Sequence, residues 1–127
     1  MRENKFRAWD KKKKEMTLEM PLAMLAGFLA AQYKLGIDIS RFEWLEYIGI
    51  KDRNGKEIYE GDIFNCIYRG DGDYDRYQVV YDAEGTRFRL KRTGECSQLG
   101  VDQKISDVAR YGIVGNIYEN KQLLKNI

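Results

Sequence analysis

Ile48-Gly49-Ile50-Lys51-Asp52-Arg53-Asn54-Gly55-Lys56-Glu57-Ile58-Tyr59-Glu60-Gly61-Asp62-Ile63 is the stretch on which the fold turns. Leu45–Ile50 reads as a strand. Asp52–Gly55 is a turn, and Asn-Gly is the strongest short hairpin signal. Lys56–Tyr59 then returns as the partner strand. Glu60-Gly61-Asp62 bends the chain again into Ile63–Tyr68. Gly55 and Gly61 suit positive φ in tight turns, Asn54 tolerates left-handed backbone, and Asp62 can bond its own turn. Tyr59 and Ile63 read as core.

Working outward toward the C-terminus, Gly70–Asp75 is an acidic loop. Tyr77–Tyr81 pairs with Arg87–Leu90 across Asp82–Thr86. Residues 93–104 are polar loop, Ile105–Arg110 suits one helical turn, and Ile113–Tyr118 is a closing strand with Ile117 in the core. Toward the N-terminus, Lys5–Trp9 alternates as a half-buried strand does, Asp10–Lys14 is a charged turn, and Met16–Leu18 returns. Many short strands between turns predict an α+β, mainly β fold: a small barrel-like or strongly bent antiparallel sheet. At 127 residues the chain is expected to form one domain, 1–127, with a helical insertion at about 21–36.

That insertion is the most unusual segment. No residue from Met20 to Tyr33 is charged. Pro21 fits a first turn and Gly36 a stop, which predicts one apolar helix over about 22–35. It is too short for a membrane span, which needs ~20 residues. At ~100° per residue, Leu22, Leu25, Leu29 and Tyr33 share one stripe, and Met24, Phe28, Ala31 and Leu35 lie opposite. Ala23, Gly27 and Ala30 between them would let another backbone approach. A helix apolar on all sides must be covered on all sides. A chain this small covers one side easily, so a second copy is expected on the other. Leu22, Met24, Leu25, Phe28 and Leu29 are the candidate oligomer contacts.

Composition removes many chemistries. The apolar fraction of 43% is globular, and sixteen aromatic residues favour strands. There is no histidine. Histidine-based acid–base catalysis, Ser-His-Asp and Cys-His pairs and His metal ligands are therefore excluded. Two cysteines, Cys66 and Cys96, cannot complete a tetrahedral zinc site alone. One disulfide between them is possible, but they read first as free thiols in a reducing cytosol. No phosphate-binding glycine loop occurs. Asp71-Gly72-Asp73-Tyr74-Asp75 begins like a calcium loop, but Arg76 stands where glycine is needed and Asp82 where the final Glu belongs, so it reads as a solvated loop. No cofactor, metal or small-molecule substrate is indicated. The charged N-terminus lacks an apolar signal stretch, so the expected location is the cytoplasm.

The net charge of +2 hides an uneven distribution. Residues 1–14 carry +5, 37–75 carry −5 and 76–92 carry +3. Lys11–Lys14 is a solvated turn or a phosphate contact. Arg87, Arg89 and Lys91 share one face of a strand, with Arg92 beyond them; they are candidate nucleic-acid contacts, or a charged guard on a sheet edge.

Three segments carry a family pattern. They are Lys5-Phe6-Arg7-Ala8-Trp9-Asp10 with Glu15-Met16, the stretch Ile48–Ile63 quoted above, and Val114-Gly115-Asn116-Ile117-Tyr118-Glu119-Asn120. In order and content they resemble the YopX family, whose pattern is absent from 20–41 and 93–109. The resemblance implies phage or prophage origin and a largely barrel-like β fold with a helical portion. It supplies no activity and no catalytic residue. The leading expectation is a non-enzymatic accessory protein of the host cytoplasm, acting as an oligomeric interaction module. The alternative is a small nucleic-acid-binding β-barrel, and a third reading is an enzyme relying on carboxylates.

Overall fold

Among the described residues, alternating strand patterns and glycine turns produce nine strands, and the charge-free segment produces one α-helix. The computed structural model describes residues 4–68, 74–84, 87–92 and 105–124. The strands are β1 (Lys5–Asp10), β2 (Glu15–Met16), β3 (Met20–Pro21), β4 (Phe42–Lys51), β5 (Glu57–Tyr59), β6 (Asp62–Tyr68), β7 (Tyr74–Asp82), β8 (Arg87–Arg92) and β9 (Ile113–Asn116). The helix α1 spans Leu22–Lys34. Short 3-10 turns occupy Ile39–Arg41, Ile105–Arg110 and Lys121–Leu124. The acidic loop at 70–75 falls largely outside the described residues, as do Cys96, the loop 93–104 and the side chains of Cys66 and Arg92.

All pairings are antiparallel. One sheet runs β2-β1-β4-β5, with β3 also on β1; the other runs β8-β7-β6-β9. The long strand β4 serves two partners. Its first half, Phe42–Glu46, lies against Asp10–Phe6 of β1, and Tyr47 and Lys51 pair with Tyr59 and Glu57 of β5 across a bulge. Bulges bend a strand and sharpen its twist. Two more interrupt β6, against β7 and against β9. The result is a strongly curled antiparallel half-barrel, mainly β with one helix, as the strand-and-turn pattern predicts.

The two sheets meet at Gly61. Its N–H donates to the Val79 carbonyl, its carbonyl accepts from Ile117 N–H, and the neighbouring Glu60 N–H donates to Glu46. Its φ of 92° is the left-handed turn the sequence anticipates. The β6–β7–β8 face closes on Val108 of the second 3-10 turn. Ile48, Ile58, Phe64, Tyr77, Val79, Phe88 and Leu90 complete that core. Tyr59 and Ile63 are fully buried, whereas Ile117 is half-buried.

The first hairpin differs from expectation. Its return strand breaks after Met16 and resumes at Met20. Thr17 causes the break and repairs it: its N–H donates to the Ala8 carbonyl, and its Oγ1 accepts from Ala8 N–H. Leu18 is left 84% exposed. Residues 7–10 of β1 are buried whichever face they point to, so no wet face remains there.

Candidate functional site

The three family-like segments lie far apart in sequence, yet the fold brings them to one place. Arg7 on β1, Lys56 and Asp62 on either side of β5, and Gly115, Asn116, Glu119 and Asn120 at the end of β9 line a polar cleft of about 380 Å³. At its base Arg7 Nη2 donates to Asp62 Oδ1 at 2.5 Å, with the two side chains 8% and 2% exposed. Asp62 Oδ2 accepts from Tyr59 N–H at 2.8 Å, the turn bond its sequence position predicts. The Arg7 guanidinium also lies over the Tyr59 ring, 4.7 Å from its centre. Burial pushes the Asp62 carboxyl up, and Arg7 and the Tyr59 N–H pull it back without fully offsetting the shift. Burial likewise raises the Tyr59 phenol. Arg7 Nε and Tyr59 OH are buried without hydrogen-bond partners among the described residues.

Around this pair the remaining motif residues tie backbone to backbone. Asp52 Oδ1 accepts from the N–H groups of Asn54 and Lys56, and its Oδ2 from Ile113 N–H across 61 residues of sequence. Burial works against that carboxylate, but the three N–H donors and Lys56 outweigh it and hold the Asp52 pKa low. Asn116 Oδ1 caps the N–H groups of Tyr118 and Glu119, and its Nδ2 donates to Glu119 Oε1. A Cβ on Gly115 would sit 2.5 Å from Asn120 Oδ1 and 2.9 Å from Leu123 Cδ1, so any larger residue must displace both side chains. Both Asp62 oxygens are engaged, and the cleft's carboxylates and amides bond mainly to backbone N–H groups, with Asn116–Glu119 as a side-chain pair. Among the described residues no group of three or more Cys, Asp or Glu is placed to hold a metal ion.

The five helix candidates divide. Leu25, Phe28 and Leu29 are half-buried and turn toward their own sheet, where Phe28 meets Phe42 and Trp44 edge-on at 5.5 and 5.9 Å. Leu22 and Met24 point outward, 51% and 62% exposed. The inward stripe therefore takes members from both predicted faces, and Ala23, Gly27 and Ala30 are exposed. Between α1 and residues 17–20 lies an apolar groove of about 600 Å³, whose lining includes Leu18, Met20, Met24 and Phe28. No helix among the described residues is long and apolar enough to cross a membrane.

Arg87, Arg89 and Lys91 are exposed on the edge strand β8, with Phe88 and Leu90 buried on its other face. Across the ladder they face Asp82, Val80 and Gln78 of β7. Arg76 lies further along that face of β7. None of these face residues is aromatic; Tyr81 and Phe88 pair on the opposite side. Sequence reasoning missed the Arg7–Asp62 pair. Its one signal was an arginine inside a strand of otherwise core-like alternation.

The chain covers 98% of its own length and 100% of a solved Enterococcus faecalis protein, EF1440, at 21% identity and a TM-score of 0.65. It is also similar to the crystal structure of protein yopX from Bacillus subtilis, at 13% identity, TM-score 0.54 and 98% coverage of both chains. At these identities the likeness concerns fold. No curated protein matches the chain. A family model described as YopX protein matches residues 5–125, which takes in all three motif segments, and the chain belongs to the YopX family.

Proposed function

We propose that this protein is a non-enzymatic interaction module that self-associates through α1, serving as an accessory protein of phage or prophage origin in the host cytoplasm. One observation carries the reading: α1 has no charged residue before Lys34 and no buried residue. A charge-free helix left open to water is unfavourable alone, and exposed apolar patches of this kind mark contact surfaces.

A second copy is the partner that fits. The helix is about 20 Å long at ~1.5 Å per residue. Leu18, Leu22 and Met24 form ridges beside the apolar groove, so one surface offers both projection and recess. A two-fold contact needs this self-complementarity. The uncharged stretch sets no like charges against each other, and a Cβ on Gly27 would meet nothing within 4 Å, leaving room for close approach.

The test is mass in solution by light scattering, at micromolar concentration and at low and high salt. The parent chain is expected to be a multimer insensitive to salt. Ala23→Glu with Met24→Glu, both at exposed positions, should give a folded monomer. A parent chain that is a well-folded monomer would overturn the reading.

A further inference from the structure

We infer that a second groove, between the Lys11–Lys14 turn and the C-terminal 3-10 turn, binds a nucleotide unit, with its phosphate on lysines and its base against Tyr118, which Trp9 backs from the core. The groove is about 570 Å³, within the range of about 300–1,000 Å³ usual for small-ligand sites. Trp9, Lys11, Lys14, Tyr118, Lys121 and Gln122 line it, together with Glu119.

The lysines stand on a built turn. Asp10 Oδ1 accepts from the N–H groups of Lys12 and Lys13, and the Asp10 carbonyl accepts from Lys14 N–H at 2.7 Å. Arg41 holds the other Asp10 oxygen at 2.8 Å, and the Arg41 carbonyl accepts from Lys11 N–H. Lys14 has a φ of 57°, which closes the turn. The two rings lie 5.7 Å apart at 31°; Trp9 is only 9% exposed, so the half-buried Tyr118 offers the open ring at the foot of three cations and Trp9 packs behind it. Glu119, the carboxylate in the described lining, is engaged by Asn116 Nδ2 at 2.8 Å, while Glu43 and Glu60 lie near enough to Tyr118 to act on its phenol. Lys11 makes a loose contact with Glu43, at 3.8 Å with both side chains half exposed, and its charge also reaches Asp38.

Cations beside an aromatic floor fit a phosphate ester carrying a flat base. Among the described recesses, the groove by α1 is apolar and the Arg7–Asp62 cleft has no aromatic lining; a smaller one of about 310 Å³ sets Lys13 and Arg41 near Phe28 and Phe42, but beside the carboxylates of Asp10 and Glu15. The basic face of β8 has cations without rings. The site therefore differs from the candidate surface at Arg87, Arg89 and Lys91.

The chain has two tryptophans, so Trp44→Phe leaves Trp9 as the only indole. That variant is titrated with adenosine monophosphate, with a short thymidine oligonucleotide and with inorganic phosphate. Saturable quenching by mononucleotide or oligonucleotide, and far weaker quenching by phosphate, is the expected result. A response to the oligonucleotide alone assigns the unit to single strands; a response to both assigns it to nucleotides generally. Lys14→Glu with Lys121→Glu, its fold checked by circular dichroism, should weaken binding about tenfold or more at low salt, as expected when phosphate contacts are removed. No saturable quenching by either nucleotide probe would overturn the inference. So would equal quenching by phosphate, or binding unchanged by the charge reversals.

Discussion

Replacing Asp62 with Ala should cost about 3–5 kcal/mol of stability, the usual consequence of leaving a buried charge without its partner. Arg7 would remain 8% exposed beside a void, and Tyr59 N–H would lose its acceptor. Arg7→Met should be milder and should depend on pH, because a carboxyl can neutralise itself by taking up a proton. Burial already raises Asp62 above its unfolded value of about 3.9, and removing Arg7 raises it further. A carboxyl with a raised folded pKa contributes its stability below the unfolded pKa and loses it as pH climbs through the folded one. Arg7→Met should therefore sit closest to the parent near pH 4 and fall behind toward pH 7. The double variant Arg7→Met with Asp62→Leu should recover most of the Asp62→Ala loss, since a buried ion pair is worth little more than packed apolar groups. Urea denaturation of all four proteins at both pH values measures this, with equal slopes confirming a two-state comparison. Asp62→Ala within 1 kcal/mol of the parent would refute the reasoning. A double variant no better than the worse single would refute it too.

Asp52 gives the opposite pH dependence. Its pKa is held low, so its contribution is present above about pH 3.9 and lost as pH falls through the folded value. Asp52→Asn should cost about 1–3 kcal/mol at pH 7, by setting an amide against Ile113 N–H, and less near pH 3 in urea titrations. Gly115→Ala should cost about 1–3 kcal/mol, because the added methyl displaces Asn120 from its bond to Asn116 N–H and presses on Leu123; adding Asn120→Ala should make the further cost of Gly115→Ala smaller in thermal melts, with the Leu123 contact remaining.

Local chemistry made much of the fold legible. Asn54-Gly55 and Glu60-Gly61-Asp62 act within a few residues, and the turns form where those residues stand. The charge-free run gave α1 to within one residue of its C-terminal end. What stayed hidden is long-range. Strand alternation cannot tell that β1 is buried on both faces, since Arg7 and Trp9 meet Asp62 and Tyr118 from far along the chain. Helical periodicity drew two apolar stripes but could not choose the angle at which α1 meets Phe42 and Trp44, and Phe28 crossed from one expected face to the other. Arg7 and Asp62 are 55 residues apart, and no spacing rule joins them. Lys14 and Lys121 likewise meet at one groove only because the C-terminal turn folds back against the first hairpin.

Sedimentation equilibrium of the full chain, set beside the Ala23→Glu/Met24→Glu variant, tests the account most directly. Association through α1 predicts a parent mass at a multiple of 14.9 kDa, unchanged by salt, and a folded variant at 14.9 kDa. A parent at 14.9 kDa across the micromolar range, or a variant that keeps the parent's assembly, would contradict it.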